Sequence, residues 1–266
     1  MGSKSLAVGI TFVLVGVIGI IVLCVVQYTY DAEIPNGYGL VWDAGSSGSR
    51  LYAYQWPVKK EHSTALVSQA DTCRAEGGGL SSYLDNPPEA GKSLESCMNK
   101  TALMVVPEED YADSPLTLGC TAGMRLAEKE SKDQSDAVME AVDQTLNSYP
   151  FNVLSVSILT GEEEGSFSWV TVNYLLGNYA KGPAPSGISS LMSSATTSTE
   201  TVGALDMGGA SLQISFIPED LTVVPPENTV LLRMYGEDYV LYTHSYLCYG
   251  INEALRRYLA TLVQIR

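Results

Sequence analysis

Two stretches, Val41–Arg50 (VWDAGSSGSR) and Leu205–Phe216 (LDMGGASLQISF), share a plan: an apolar strand runs into an aspartate, then into a turn of small residues. Small side chains let backbone N–H groups close on an anion, and serine hydroxyls add donors. An aspartate ending the preceding strand can hold a divalent cation, directly or through water. Two such turns facing each other would clamp a polyphosphate, with a cation between Asp43 and Asp206 and the phosphates on the loops. Either turn alone reads as an ordinary hairpin whose aspartate starts the turn. The repeated plan, at a spacing too long for a solenoid repeat, instead points to two halves of one site.

Two further stretches bear on chemistry. TGEEEG places Glu162, Glu163 and Glu164 between an apolar strand and a helix. Acids there complement a helix dipole and equally supply a general base at a site mouth; the spacing leaves both readings open. GCTAGMRL offers another small-residue turn, with Thr121, although its glycines also suit close helix–strand packing. His62 and His244 are isolated, lack metal-ligand spacing and read as structural. The chain contains neither a full G-x-x-x-x-G-K-[ST] phosphate loop nor a G-x-S-x-G elbow.

The elements that must position these loops follow from periodicity and breakers. Gly37–Trp42 and Arg50–Trp56 predict a strand pair. Residues 57–88 predict a loop-rich region broken by Gly77-Gly78-Gly79 and Pro87-Pro88. Leu116–Leu118 predicts a short strand, and Val138, Val142 and Leu146 predict a helix over Asp133–Ser148 that Pro150 ends. Val153–Leu159 reads as a strand and Ser166–Leu176 as a helix. Ala180–Thr201, rich in Ser, Gly, Pro and Thr, reads as a flexible excursion. GALDM and LQISFI are strands around the GGAS turn, Val230–Tyr242 a hairpin centred on Gly236–Asp238, and Tyr246 to the end a helix.

The chain has 266 residues, 45% of them hydrophobic, enough for one large domain or two small ones. A net charge of −15 and a pI of 4.4 argue against nucleic acid as a partner, since phosphate-backbone binding needs a basic face. Leu6–Val26 is uncharged throughout, about the length of a bilayer-crossing helix and too long for a signal-peptide core. Lys4 precedes it and Asp31 and Glu33 follow, which places Met1–Ser5 in the cytoplasm and the residues after Tyr28 outside. Cys73 and Cys97 lie in a polar, loop-rich region and read as disulfide partners in an oxidising compartment. Cys120 reads as a buried thiol, and Cys248 has no evident partner. Asn99 begins an N-x-T glycosylation acceptor.

Taken together, DAGSSGSR, CTAGMRL, LTGEEEGSFSWVTVNYLLG and LDMGGASLQISF, with GGGLSSYLDNP and YTHSYLCYG, resemble the ectonucleoside triphosphate diphosphohydrolases of the apyrase family. The N-terminal anchor resembles the cell-surface type. The resemblance implies an α/β fold, actin-like and ribonuclease H-like, with two lobes: residues 37–159, then an incomplete 160–266, behind a transmembrane helix at 6–28. It implies hydrolysis of the terminal phosphate of extracellular nucleoside tri- and diphosphates with Ca²⁺ or Mg²⁺, and so a part in purinergic signalling. Glu164 would be the base and Ser211 and Gln213 would position the water. Asp43 and Asp206 would hold the metal through its water shell; Ser46, Ser47, Gly48, Ser49, Thr121, Gly208, Gly209 and Ala210 would surround the phosphates. A homo-oligomer is left open.

Three departures stand out. Gly48-Ser49-Arg50 resembles the intracellular branch rather than the usual His-Thr, which bears on the choice between tri- and diphosphates. Glu162 stands where relatives carry Gln, and Cys120 where they carry Ala. Family members are also much longer. Their fifth conserved region, base-stacking residues, second membrane span and the disulfide partner of Cys248 lack counterparts here. The 266 residues thus read as a fragment, truncated isoform or incomplete gene model, inactive or poorly folded alone. The competing readings are a membrane-anchored fragment that binds nucleotide, or associates with a full-length enzyme, without catalysis, and an exopolyphosphatase-type hydrolase. The anchor, the glycosylation acceptor, TAGMRL and YTHSYLCYG speak against the latter.

Overall fold

The structure is a computed structural model that describes residues 16–26, 35–59, 67–179, 201–234 and 236–264. Its strands form two sheets. The first contains β1 (Asn36–Gly45), β2 (Gly48–Pro57), β3 (Ser68–Arg74), β4 (Pro115–Cys120) and β5 (Asn152–Ile158) in the order β3-β2-β1-β4-β5. β1, β2 and β3 are antiparallel neighbours, while β4 and β5 run parallel to β1. Alternation along the strands sends Leu40, Trp42, Ala44, Leu51, Ala53, Leu116, Leu118 and Cys120 to one buried face. There they meet α1 (Pro87–Cys97) and α3 (Lys132–Asn147), whose Leu94, Val138, Val142 and Leu146 are fully buried. Because the side chains alternate, Asp43 points to the other side of the sheet.

Residues 68–74, which the sequence assigns to a loop, form β3, paired with β2 from Gln55 to Arg50. The SQADTCR segment lacks apolar alternation because it is an edge strand with little burial, so its pattern is silent. Pro87 and Pro88 open α1 rather than break structure, since a helix's first turn has no use for their missing N–H. A disulfide joins Cys73 of β3 to Cys97 at the end of α1, with 5.5 Å between the Cα atoms.

α2 (Ala122–Glu130) follows β4, and α4 (Gly161–Leu176) follows β5. α4 begins at Gly161, five residues before the expected Ser166, because Thr160 and Glu163 form a reciprocal capping box. It ends at Gly177, whose φ of 70° closes the helix. α4 packs on the second sheet: β6 (Ala204–Met207), β7 (Ser211–Phe216), β9 (Glu237–Leu247) and β8 (Thr229–Met234), all antiparallel, in that order. Trp169, Tyr179, Ala204 and Leu241 form its core. Buried Asn173 donates to Trp169 O and Val202 O and accepts from Val202 N and Asn178, tying α4 to the segment that leads into β6.

β9 extends to Leu247, so the last helix, α5 (Ile251–Gln264), begins five residues after the expected Tyr246. Pairing with β7 holds Thr243–Leu247 extended, a tertiary effect that helical spacing cannot reveal. The excursion expected over Ala180–Thr201 falls almost wholly outside the described residues. The expected membrane helix falls partly outside them: residues 16–26 are helical and exposed, and no helix among the described residues is long and apolar enough to cross a membrane.

Candidate active site

The two hairpins that share a plan meet across a cleft of about 1140 Å³, lined by Asp43, the Gly45–Ser49 turn, Thr121, Glu164, Asp206 and Gly208–Ser211. Ser46 sits where three small-residue turns converge. A Cβ on Gly123 would stand 2.9 Å from Ser46 Cα, one on Gly209 would stand 2.5 Å from Ser46 Oγ, and one on Gly79 would press on the carbonyls of Gly45 and Ser46 at 2.6 and 2.7 Å. Glycine at these positions is what lets the loops approach one another.

The second turn is held from behind. The carbonyls of Gly208, Gly209 and Ala210 accept from the N–H groups of Ile251, Asn252 and Cys248 at 3.0, 3.0 and 2.8 Å. In a planar trans peptide the N–H points opposite the C=O. Drawing these carbonyls toward α5 therefore turns the N–H groups of Gly209, Ala210 and Ser211 the other way, toward the cleft. Cys248, at φ 70°, is the one described non-glycine residue in the left-handed region. It is half-buried and carries a free thiol.

Of the three consecutive glutamates, Glu163 and Glu164 both line the cleft, but the Glu163 carboxylate is taken up by the capping box. Glu164 Oε2 accepts from Arg125 Nη2 at 2.7 Å and from Gln213 Nε2 at 3.0 Å. Arg125 Nη2 also lies 3.2 Å from Ser211 Oγ, and its Nη1 donates to Leu159 O at 2.9 Å. Gln213 Nε2 is 2.7 Å from both Ser211 Oγ and Ser245 Oγ. The ion-paired side chains are only 12% and 13% exposed, so this is a nearly dry network and not a surface salt bridge.

Burial raises the Glu164 carboxyl above the usual glutamate range; Arg125 opposes the shift, and Asp206 and Asp43 add to it. Burial likewise raises Asp43, reinforced by Asp206 and countered by Arg50, and raises Asp206. Burial pushes the Cys120 thiol up to about 12, which leaves it an inert core group. Among the described residues no group of three or more His, Cys, Asp or Glu side chains could hold a metal ion. Two carboxylates that repel each other across a cleft of N–H and hydroxyl donors do fit a hydrated cation that completes its shell with water and phosphate oxygens.

All the residues expected around phosphates and cation line this cleft, together with Glu164 and Ser211, while Gln213 lies just behind them. Asn99 is elsewhere, exposed in the helical turn that follows α1, where its Oδ1 accepts from Tyr149 at 3.3 Å. The sequence reading assigns no role to two network members, Arg125 and Ser245, although both lie in stretches that carry the resemblance, CTAGMRL and YTHSYLCYG. Arg125 is marked there as the sole cation of CTAGMRL, whereas only the β7–β9 register sets Ser245 opposite Gln213.

Two sheets with paired small-residue turns at their junction define an α/β fold. The same fold occurs in a crystal structure of nucleoside triphosphate hydrolases from Neospora caninum, at TM-score 0.53 and 19% identity, covering 86% of this chain and 48% of that one. The chain belongs to the GDA1/CD39 (nucleoside phosphatase) family, whose model matches residues 31–266. It is 42% identical over 265 residues to ectonucleoside triphosphate diphosphohydrolase 1 of Mus musculus, covering 99% of this chain and 51% of that protein. It is 46% identical over 257 residues to ectonucleoside triphosphate diphosphohydrolase 2 of Mus musculus, covering 94% and 49%. The chain thus spans about half the length of the curated relatives it matches.

Proposed function

We propose that this chain carries the catalytic groups of a nucleoside triphosphate diphosphohydrolase that removes the terminal phosphate of nucleoside tri- and diphosphates. The observation that carries the reading is Glu164: a largely buried carboxylate on the wall of the cleft, with both of its close donors on Oε2. Oε1 is then the oxygen that takes a proton. Ser211, held from behind by Gln213, orients a water; its oxygen bonds to the terminal phosphorus, its proton passes to Glu164, and the phosphorus–oxygen bond to the leaving nucleotide breaks. The N–H groups of Gly209 and Ala210, with Ser46, Ser47, Gly48, Ser49, Thr121 and Gly208, hold the phosphate oxygens as charge shifts to the leaving group. Asp43 and Asp206 would hold hydrated Ca²⁺ or Mg²⁺, which supplies positive charge to the phosphates.

In this reading the described sheets are the two lobes of an actin-like fold, residues 37–159 and 160–266. Residues 6–28 anchor the chain in the cell membrane, with Met1–Ser5 cytoplasmic and the site outside. The Cys73–Cys97 disulfide and the exposed Asn99 acceptor support an oxidising, glycosylating route. Glu164→Gln is the direct test, because it keeps shape and removes the proton acceptor. Phosphate release from ATP with Mg²⁺ is expected to fall at least about 100-fold, and undiminished release would sink the assignment.

A further inference from the structure

We infer that Ser245 is a positioning residue for the hydrolytic base, acting through Gln213. The inference rests on the reading of Glu164 as that base. Ser245 stands directly across from Gln213 in the β7–β9 register, with its Oγ 2.7 Å from Gln213 Nε2. The Gln213 amide nitrogen carries two hydrogens and faces three oxygens: Glu164 Oε2 at 3.0 Å, Ser211 Oγ at 2.7 Å and Ser245 Oγ at 2.7 Å. Its carbonyl oxygen is buried without a partner among the described residues. With Glu164 ionised, turning that oxygen inward would set two acceptors face to face. The nitrogen therefore points at the base, and the two serines fix the plane in which it does so.

The approach of α4 makes this arrangement possible. A Cβ on Gly161 would overlap Ser245 Cβ and lie 2.7 Å from its Oγ. One turn on, a Cβ on Gly165 would overlap Thr243 Oγ1, lie 2.7 Å from Ser215 Oγ and stand 3.4 Å from Gln213 Cβ. The Gly161-x-x-x-Gly165 face thus seats the helix bearing Glu164 directly on a polar strip of Gln213, Ser215, Thr243 and Ser245. Ser215 and Thr243 bond each other at 2.8 Å and are fully buried. Among the described residues neither hydrogen-bonds Glu164, so they provide a control in the same packing environment.

The test uses the full-length protein. Ser245→Ala is expected to lower kcat about 10-fold, as removing a group that orients a site residue does, with KM for ATP within about twofold. Ser215→Ala and Thr243→Val are expected to leave kcat within about twofold. In a Gln213→Ala background, Ser245→Ala should cost nothing further, because its route to the base is gone. A measurement independent of turnover follows the Gln213 side-chain amide by nitrogen-15 NMR: exchange-protected in the parent, it should exchange freely in Ser245→Ala. Equal losses in all three single variants, additivity with Gln213→Ala, or an unchanged Gln213 amide would each overturn the inference. Should Glu164→Gln keep full activity, the base reading itself fails. Should Glu164→Gln be dead while Ser245→Ala turns over normally, only the role of Ser245 fails.

Discussion

Glu164 is pulled in two directions. Burial and the neighbouring aspartates raise its proton affinity, and Arg125 at 2.7 Å lowers it. A general base must be ionised, so activity is lost as pH falls through its raised value, above the usual glutamate value of 4.5. Arg125→Met removes the opposing cation, and the acid limb of kcat/KM should move to higher pH in a rate profile. A limb that stays put would show that Arg125 does not set the base strength. At this scale the sequence was only partly legible. It offered three glutamates in a row, and nothing in their spacing separates the capping Glu163 from the cleft-facing Glu164. A helix cap at Thr160 decides that, because it makes Glu163 the reciprocal partner of the capping box and leaves Glu164 outside it.

The second turn is shaped by backbone outside it as well as by its own residues. A Cβ on Gly250 would stand 2.5 Å from Gly209 C and O and from Ala210 N, all backbone atoms without freedom to give. Gly250→Ala should therefore displace the second turn and weaken nucleotide binding about 10-fold in equilibrium titration, with the first sheet unaffected. The disulfide between β3 and α1 closes a loop of sequence separation 24. Opening it by Cys73→Ser should cost about 3 kcal/mol of stability in denaturant unfolding. The β1–β2 and β6–β7 hairpins were readable because apolar runs end in Asp and Gly. β3 and the far end of β9 were not, because an edge strand has no buried face and residues 243–247 owe their extension to a neighbour distant in sequence. The meeting of the turns at Ser46 was foreshadowed by their repeated plan. The hydrogen bonds from the start of α5 that shape the second turn were invisible, since N–H groups leave no mark in a sequence.

Across the whole molecule the carboxylates facing the cleft oppose its own stability. Asp43 and Asp206 have folded-state values raised from the usual 3.8. An acid so raised binds more protons folded than unfolded, so its contribution to stability falls as pH rises through the interval between 3.8 and the raised value. Above that interval the ionised pair is a standing penalty that a bound divalent cation would relieve. Magnesium at ten times its dissociation constant should add about 1.4 kcal/mol at pH 7, a rise of several degrees in Tm. The rise should shrink as pH is lowered into the interval. Asp43→Asn should raise Tm in chelator and abolish most of the magnesium response; a response as large as the parent's would exclude Asp43 from the cation site.

Glu164 rides on a helix seated on the second sheet, while Arg125 belongs to a helix of the first. Their 2.7 Å contact therefore bridges the two sheets through the same carboxylate that is read as the base, so one ion pair serves both the joint and the site.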